Sequence, residues 1–396
     1  MSGRRLATLL FVLAVALGAA IIARPAVNGL AFVIRAADMH GAVRRAADLG
    51  VRPGVEREIA IPSSSARARR ARVYVPGGAS HRTALLVSGL HPAGIDEPRL
   101  VALARQLTAS GLTIVTPDIP ELSSFAITPA ITSAIEESAV WLANDAALSP
   151  DHRIGLMGIS FSGGLSVVAA GRPALADRVA FVFSFGGHDD LPRVLRYLCT
   201  GTEPLPTHEI HLSRDAQDAV VQRPHDYGVA AILLGVADRV VPAAQVEPLR
   251  GAVRRFLWAS HLDRVNRPQA EREFAALRDL ANHLPQPSAT LLRYVNDRDV
   301  IHLGARLLPW IGFYGDAPAL SPSRSPKPAA PVFLLHGIDD NVIPAAESEY
   351  LAAELRGHAP VRLLLSGLIS HAEADQPVHV GDVLDLAGFW GDLLAR

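Results

Sequence analysis

Short apolar runs alternate with helical patterns over most of the chain. Val55–Ile61 and Ala71–Val75 flank a polar turn, Ser63 to Ser65, and predict a leading antiparallel pair of strands. The helical segments Pro98–Ser110 and Thr132–Ala146 separate several of the later apolar runs. Those runs lie at Ala84–Ser88, Leu112–Thr116, Arg153–Ile159, Val179–Ser184, Pro331–Leu335 and Val361–Leu365. Fully apolar strands need cover on both faces, so the pattern predicts an α/β fold with a mostly parallel sheet between two layers of helices.

An uncharged apolar run, Leu6–Ala23, opens the chain after Arg4 and Arg5. Its residues would rise about 27 Å as a helix, close to the roughly 30 Å of a bilayer's hydrocarbon core. This length, and the lack of a clean Ala-x-Ala cleavage site, favour an uncleaved signal-anchor over a cleaved signal peptide in residues 1–25. We therefore expect an exported catalytic domain, held at the membrane by this segment or secreted if the segment is cleaved. Residues 26–50 read as a helical connector that packs on the domain or lies on the membrane surface.

Composition removes several classes of chemistry. Hydrophobic residues make up 49% of the chain and charged residues 19%, which is typical of a large folded core. A balance of 38 basic against 39 acidic residues supplies no basic field for nucleic acid. Cys199 is the sole cysteine, which excludes an intrachain disulfide and a Cys-rich zinc or iron–sulfur site. Lys327 is the sole lysine and lies in a Pro-rich stretch, which argues against a catalytic or phosphate-loop lysine.

A serine stands where a predicted strand gives way to a helix. The segment Gly158 to Gly164 (GISFSGG) closes the run Arg153–Ile159 and opens the apolar helix Leu165–Ala170. Small residues let a serine at such a turn adopt a strained backbone and present its hydroxyl above the sheet. The segment resembles the nucleophile elbow of the α/β-hydrolase family, with Ser160 as the nucleophile. Ser162 stands where the G-x-S-x-G pattern has its second glycine, so a frame centred on Ser162 is the alternative.

The resemblance implies the chain order Ser, then Asp or Glu, then His. Pro331–Leu335 runs into HGIDDNVIP, which is similar to the family's turn after the penultimate strand and implies Asp340 as the acid. Three other aspartates compete for this role. Asp238 lies in a sequence that mimics the acid turn, although a helical pattern precedes it, and Asp189 and Asp190 follow the run Val179–Ser184.

His371 is the histidine that the resemblance implies as the base. It follows the strand Val361–Leu365 and lies 31 residues after Asp340, a separation that one helix and one strand fill. His379 is the alternative base, and His336 is expected to orient the acid turn.

The loop Ser88–Gly94 follows the first parallel strand, where the family has half of its oxyanion hole. The resemblance implies that the backbone N–H groups of Leu90 and Phe161 are the two donors. His91 has no partner at a metal-ligand spacing, so we expect it to stabilise the loop or line a pocket, and we predict no metal site.

A long insertion separates the predicted strands Val179–Ser184 and Pro331–Leu335. Apolar residues recur in it at helical spacing, which predicts a helical lid. The predicted division is a core of residues 51–190 and 330–396 and a lid of residues 191–329, whose Pro-rich end from residue 317 leads back into the core. Five lid aromatics are candidates for an acyl pocket or for core packing: Trp258, Tyr294, Trp310, Phe313 and Tyr314.

The resemblance implies a serine hydrolase that cleaves a carboxylic ester of a small molecule through an acyl-enzyme, without a metal or organic cofactor. A peptidase similar to prolyl oligopeptidases would share the triad, but the chain has no blade-length repeat. The alternative outside enzymes is a catalytically inactive binding module with the same fold, tethered to the membrane.

Overall fold

The computed structural model describes residues 23–64, 67–78, 82–204, 219–369 and 380–396. These ranges contain ten strands: β1 (Val55–Ile61), β2 (Arg69–Val75), β3 (Thr83–Val87), β4 (Thr113–Pro117), β5 (Ile154–Ile159), β6 (Val179–Phe185), β7 (Thr202–Pro204), β8 (Ala219–Val221), β9 (Val332–Gly337) and β10 (Val361–Ser366). Residues 23–36 are helical and are called α1. The other helices are α2 (Ala42–Ala47), α3 (Pro98–Ala109), α4 (Pro120–Ser123), α5 (Pro129–Asn144), α6 (Phe161–Ala170), α7 (Leu191–Thr200), α8 (Asp226–Val240), α9 (Ala243–Val265), α10 (Arg267–His283), α11 (Ser288–Asn296), α12 (Val300–Leu307), α13 (Ile311–Gly315), α14 (Ala346–Leu355) and α15 (Val380–Leu394).

Eight strands form one sheet in the order β1-β2-β4-β3-β5-β6-β9-β10. β2 pairs antiparallel with both β1 and β4, and the remaining pairs are parallel. β3 and β4 are buried at every position, whereas β1 at the edge carries exposed Glu and Arg side chains. This burial follows from the composition of the strands, because a central parallel strand has no solvent face. The predicted α/β class and the leading antiparallel pair are confirmed.

Two apolar layers enclose the sheet. One contains side chains of α5, α6 and α14, such as Ile131, Leu165 and Leu351. The other contains side chains of α3 and α15, such as Leu107 and Phe389. The sheet is therefore covered by helices on both faces.

Helix α1 packs on the second layer. The Phe32 ring lies 4.1 Å from the Trp390 ring, and a Cβ on Gly29 would come within 1.8 Å of the Ala387 carbonyl oxygen. The buried Arg35 guanidinium donates to the Ala47 carbonyl (2.6 Å) and to Ser110 Oγ (2.7 Å), which fixes α1 to α2 and to the end of α3. Helices α1 and α2 thus pack on the domain, and contact of this segment with a membrane surface stays a prediction.

The predicted signal-anchor lies almost entirely outside the described residues, so its assignment stays a prediction. Within the described ranges, no helix combines the length and apolar composition needed to cross a bilayer.

The chain between β6 and β9 consists mainly of helices α7 to α13. We call residues 191–329 the helical insertion. It also contains the short antiparallel hairpin β7–β8, which the sequence analysis does not predict. The three residues of each strand offer too little alternation to be recognised as a strand pattern.

Candidate active site

Ser160 occupies the turn between β5 and α6 with φ 54° and ψ −129°. A positive φ is uncommon for a residue with a Cβ, and such conformations persist where the surrounding structure imposes them. Gly158 makes the turn possible, because a Cβ there would come within 2.1 Å of the Ser162 carbonyl oxygen. Ser160 is the N-cap of α6, so the positive end of the helix dipole is directed at it. The predicted strand–serine–helix turn is thus present with the expected strain.

The loop after β3 approaches the serine closely. A Cβ on Gly89 would lie 3.3 Å from Ser160 Cβ, which only a backbone without a side chain accommodates comfortably. Ser162 Oγ donates to the Ser88 carbonyl at 2.6 Å. Phe161 is buried, and its ring stacks on His188 with centroids 5.0 Å apart. Gly89, which precedes Leu90, thus lies next to Ser160, and Phe161 follows Ser160 in the chain; the role of Leu90 and Phe161 as oxyanion donors stays a prediction.

Asp340 follows β9 and is 3% exposed. Its Oδ1 accepts hydrogen bonds from the backbone N–H groups of Val342 (2.8 Å) and Ile343 (3.1 Å), which favour the charged carboxylate. Its Oδ2 lies 3.5 Å from His336 Nε2. His336 is fully buried and holds the turn from inside, since Nε2 lies 2.8 Å from the Ile343 carbonyl and Nδ1 lies 2.6 Å from Ser348 Oγ. The carbonyl can only accept, so Nε2 carries a proton and donates it to Ile343.

The ends of three adjacent strands connect the serine to the aspartate. The Ser160 N–H donates to the Phe185 carbonyl (2.6 Å), and the Gly186 N–H donates to the Leu335 carbonyl (2.8 Å). A Cβ on Gly186 would lie 3.5 Å from Asp340 Oδ2. Ser160 and Asp340 thus lie on the same carboxyl edge of the sheet, on either side of the end of β6. In a doubly wound sheet, ligands bind at this edge.

His371 and its alternative His379 lie outside the described residues. The strand that precedes them, β10, ends beside β9, and a Cβ on Gly337 would come within 2.2 Å of the Ile369 carbonyl oxygen. Ile369, two residues before His371 in the chain, therefore contacts the start of the acid turn at Gly337. The assignment of the base stays a prediction.

The competing aspartates occupy other surroundings. Asp238 lies on α8, where its half-exposed carboxylate pairs with Arg239 and Arg250, both at 3.4 Å. Asp190 caps α7 by accepting from the Arg193 N–H and pairs with Arg324 at 2.9 Å. Each of these two carboxylates therefore has a structural role where it stands.

Asp189 belongs to a buried group of charges, which we call the carboxylate cluster: Asp189, Glu203, Glu347 and Arg193. Arg193 pairs with Glu347 and, at 3.2 Å, with Asp189. Glu347 also accepts from the backbone N–H groups of Asp189 (2.7 Å) and Asp190 (3.0 Å). Burial raises the pKa of Asp189 to about 7, and the charge of Glu347 is the second cause of this increase. The same two causes raise the pKa of Glu203.

His91 packs against the helical insertion. Its ring meets the His261 ring edge to face at 4.8 Å, and His261 in turn lies 5.2 Å from the Trp258 ring. Burial lowers the pKa of His91 to about 4, so the imidazole is neutral near pH 7. Of the aromatics considered for an acyl pocket, Trp258 is thus connected to the loop through His261. Tyr314 instead packs on Gly235, and Phe313 is 71% exposed under the Arg239 guanidinium.

Cys199 is buried, and burial raises the pKa of its thiol to about 12, which keeps it protonated. Lys327 Nζ donates to the Pro322 carbonyl at 2.6 Å and lies 3.5 Å from Glu354. Among the described residues, no group of three His, Cys, Asp or Glu side chains could hold a metal ion.

Two hydroxyl contacts at this edge could not be predicted from the sequence. Tyr227, on α8, donates its hydroxyl to the Leu90 carbonyl at 2.9 Å. The hydroxyl of Ser162 binds the same loop, although the sequence indicated only a departure from the glycine of the elbow pattern. The departure itself was the available signal for Ser162, whereas nothing in the sequence connects Tyr227 to a loop 137 residues away.

No protein-family profile matches the sequence, and no curated protein is significantly similar to it. Among solved structures, an esterase from Pyrobaculum calidifontis is similar at 15% identity and TM-score 0.41, over 80% of this chain and 78% of that one. A puromycin-hydrolyzing peptidase from Mycobacterium tuberculosis is similar at 14% identity and TM-score 0.41, over 86% of this chain and 38% of that one. An acylaminoacyl peptidase from Pyrococcus horikoshii is similar at 12% identity and TM-score 0.38, over 82% and 38%. The chain thus spans well under half of either peptidase.

These likenesses are weak and concern the fold alone, so the assignment depends on the topology. A mostly parallel eight-stranded sheet covered on both faces carries a strained serine between β5 and α6 and a buried aspartate after β9. The chain has the α/β-hydrolase fold.

Proposed function

We propose that the protein is a serine hydrolase that cleaves a carboxylic ester through an acyl-enzyme. The observation that carries the proposal is the strained backbone of Ser160 on the same sheet edge as the buried Asp340. A serine at φ 54° is strained, and residues strained in this way cluster at active sites, where the surrounding structure holds them. The backbone N–H groups of Val342 and Ile343 hold the Asp340 carboxyl in one orientation, as the proposed role of orienting an imidazole requires.

In the proposed mechanism, Ser160 Oγ attacks the ester carbonyl carbon and its proton passes to His371. The carbonyl π electrons move to the oxygen, and the N–H groups of Leu90 and Phe161 stabilise the resulting oxyanion. Collapse of this intermediate breaks the bond to the alcohol, which leaves with the proton from His371. Water then attacks the acyl carbon and gives a proton to His371, the bond to Ser160 Oγ breaks, and the carboxylic acid leaves as Ser160 takes that proton back. Asp340 keeps the imidazole oriented throughout.

Two features support a small-molecule ester as the substrate. The helical insertion contacts the loop beside Ser160 through Tyr227 and His261, so it restricts access to the serine from this side. Trp258 and His261 offer an apolar and aromatic surface beside that loop, which suits an acyl or alkyl group better than an extended peptide. We therefore propose that residues 191–329 act as a lid over the serine.

Labelling with a fluorophosphonate probe tests the proposal. Wild-type protein is expected to react at Ser160 and to hydrolyse p-nitrophenyl esters, with a preferred acyl length when esters of graded length are compared. The Ser160→Ala variant should lose both properties while its circular dichroism is unchanged.

Aminoacyl amides serve as the comparison substrates. Release from aminoacyl amides at rates similar to the esters would instead support the peptidase reading. Equal ester hydrolysis by wild type and Ser160→Ala would contradict the triad and favour a binding module.

A further inference from the structure

We propose that two side-chain hydroxyls, those of Ser162 and Tyr227, position the oxyanion loop, which we define as residues 88–90. Ser162 Oγ donates to the carbonyl at the first residue of the loop, and Tyr227 Oη donates to the carbonyl at the last. The inference rests on the proposed function, because it concerns the loop whose Leu90 N–H is the proposed oxyanion donor.

The Ser162 contact fixes the loop to the protein core. Ser162 is fully buried on the first turn of α6, and its 2.6 Å bond to Ser88 is also buried. A glycine at this position, as in the common elbow pattern, has no hydroxyl and could not make the bond. The loop is tightly apposed to the nucleophile at the next residue, since a Cβ on Gly89 would lie 3.3 Å from Ser160 Cβ.

The Tyr227 contact fixes the other end of the loop to the helical insertion. The Tyr227 ring packs edge to face on Phe125 at 5.6 Å, and its hydroxyl lies 2.9 Å from the Leu90 carbonyl oxygen. Burial raises the pKa of Tyr227, so the phenol keeps its proton and remains a donor.

The start of α8 is itself held in place, so Tyr227 is a firm anchor. The His225 N–H donates to the Asn341 carbonyl in the acid turn at 2.9 Å. Asp226 pairs with Arg298 at 2.7 Å, and Gly228 packs on Leu198, where a Cβ would come within 2.4 Å. Residues 225–228 therefore join the acid turn to the oxyanion loop.

The two hydrogen bonds matter because the peptide that carries the Leu90 N–H follows a glycine and would otherwise rotate easily. The Leu90 N–H belongs to the peptide that follows Gly89, and glycine permits wide rotation of that peptide. The bonds to the Ser88 and Leu90 carbonyls hold the peptides before and after this one, which restricts its rotation. Oxyanion donors act only when they lie within hydrogen-bond distance of the developing charge, and misplacement by about 1 Å costs about a hundredfold in rate.

Steady-state kinetics of the full chain with p-nitrophenyl butyrate test the proposal. Tyr227→Phe and Ser162→Ala should each lower kcat by about 10- to 100-fold and leave KM within about twofold, because the loss falls on the transition state. Tyr350→Phe is the matched control. It also removes a tyrosine hydroxyl that donates to a backbone carbonyl, that of Pro204 at 3.1 Å, but this carbonyl lies on β7, outside the eight-stranded sheet, and the variant should keep kcat within about twofold.

A trifluoromethyl ketone inhibitor separates positioning from general damage. Ser160 Oγ adds to its carbonyl carbon, the serine proton passes to the base, and the resulting alkoxide lies in the oxyanion hole. In Tyr227→Phe and Ser162→Ala, the inhibition constant should rise by the same factor by which kcat/KM falls. The melting temperature of Tyr227→Phe should stay close to that of Tyr350→Phe.

The outcomes distinguish the two proposals. If Ser160→Ala is inactive and both hydroxyl variants keep wild-type kcat, the positioning role is wrong and the serine hydrolase stands. The positioning role is also wrong if the variants lose kcat/KM with an unchanged inhibition constant. If Ser160→Ala is as active as wild type, the proposed function itself fails.

Discussion

Backbone strain at Ser160 is the clearest property of a single residue in this protein. A residue with a Cβ at positive φ costs about 1–3 kcal/mol, whereas glycine adopts this region readily. Ser160→Gly and Ser160→Ala both remove the hydroxyl, but only the glycine variant removes the strain. We expect Ser160→Gly to be more stable than Ser160→Ala by about 1 kcal/mol in urea unfolding, since the chain entropy of glycine offsets part of the gain.

Ser133 provides the matched control for this experiment. It is exposed on α5, where an ordinary helical backbone favours alanine over glycine by about 1 kcal/mol. The order of stability should therefore be reversed at Ser133. The same order at both positions would mean that the Ser160 turn relaxes without cost.

Asp340 and Asp238 have different surroundings although the sequences around them are similar. Asp340→Asn should keep the fold, because an amide oxygen can still accept from the N–H groups of Val342 and Ile343. It should lower kcat by about 10³- to 10⁴-fold, because the amide favours the wrong imidazole tautomer. Asp238→Asn removes only exposed ion pairs and should change kcat by less than about threefold.

Ester hydrolysis by the purified variants is the measurement. If Asp238→Asn abolishes turnover and Asp340→Asn is nearly silent, the acid has been assigned to the wrong element.

At the scale of elements, the carboxylate cluster joins several parts of the fold. Asp189 follows β6, Arg193 lies on α7, Glu203 on β7 and Glu347 on α14. Three buried carboxylates share one guanidinium, so the charges are not balanced if all of them ionise. Glu203 Oε1 lies 3.6 Å from Arg193 Nε, beyond hydrogen-bond distance, whereas Glu347 contacts the guanidinium directly.

The two glutamates should therefore respond differently to neutralisation. Glu347→Gln removes the closest charge partner of Arg193 and should lower the free energy of unfolding by about 3 kcal/mol. Glu203 has a pKa raised above its unfolded value, so the folded state binds more protons and loses stability as the pH rises. Glu203→Gln removes this titration, and its stability relative to wild type should increase from pH 5 to pH 9.

Urea unfolding at several pH values provides the test. A stability difference between Glu203→Gln and wild type that does not change with pH would show that Glu203 titrates normally. The Glu347→Gln variant is the comparison, because removal of its charge is expected to lower the free energy of unfolding.

For the whole molecule, the first described helix, α1, is packed against the rest of the described core. Phe32, Arg35 and Gly29 attach α1 to α15, α2 and the end of α3. We therefore expect a chain that starts at residue 23 to fold and to melt within about 3 °C of the full chain. If the apolar run is an anchor, the full chain should sediment with membranes and the shortened chain should stay in the supernatant.

Mass spectrometry of the full chain after expression separates the two readings of the amino terminus. An intact amino terminus in the membrane fraction supports the anchor. A mature chain that begins near residue 25 supports a cleaved signal peptide.

The order of the strands and helices could largely be predicted from the sequence. The predicted strand Ala84–Ser88 corresponds to β3 at Thr83–Val87, and the predicted Val361–Leu365 corresponds to β10 at Val361–Ser366. Apolar runs bounded by turns predict strands well because a buried parallel strand tolerates few polar side chains. The hairpin β7–β8 was not predicted, because three-residue strands are defined by their pairing and not by a pattern.

The class of fold and the turn at Ser160 could be predicted from the sequence, because local pattern and chain order carry this information, whereas the choice of Asp340 as the acid stays a prediction. Only the tertiary structure decided which aspartate is buried with backbone donors and which is an exposed partner of arginines. It also decided that Ser162 and Tyr227 contact the same loop from two sides, residues that are 65 positions apart in the chain. The physical reason is that burial and hydrogen-bond partners depend on packing between distant segments, whereas strand, turn and helix signals depend on neighbours along the chain.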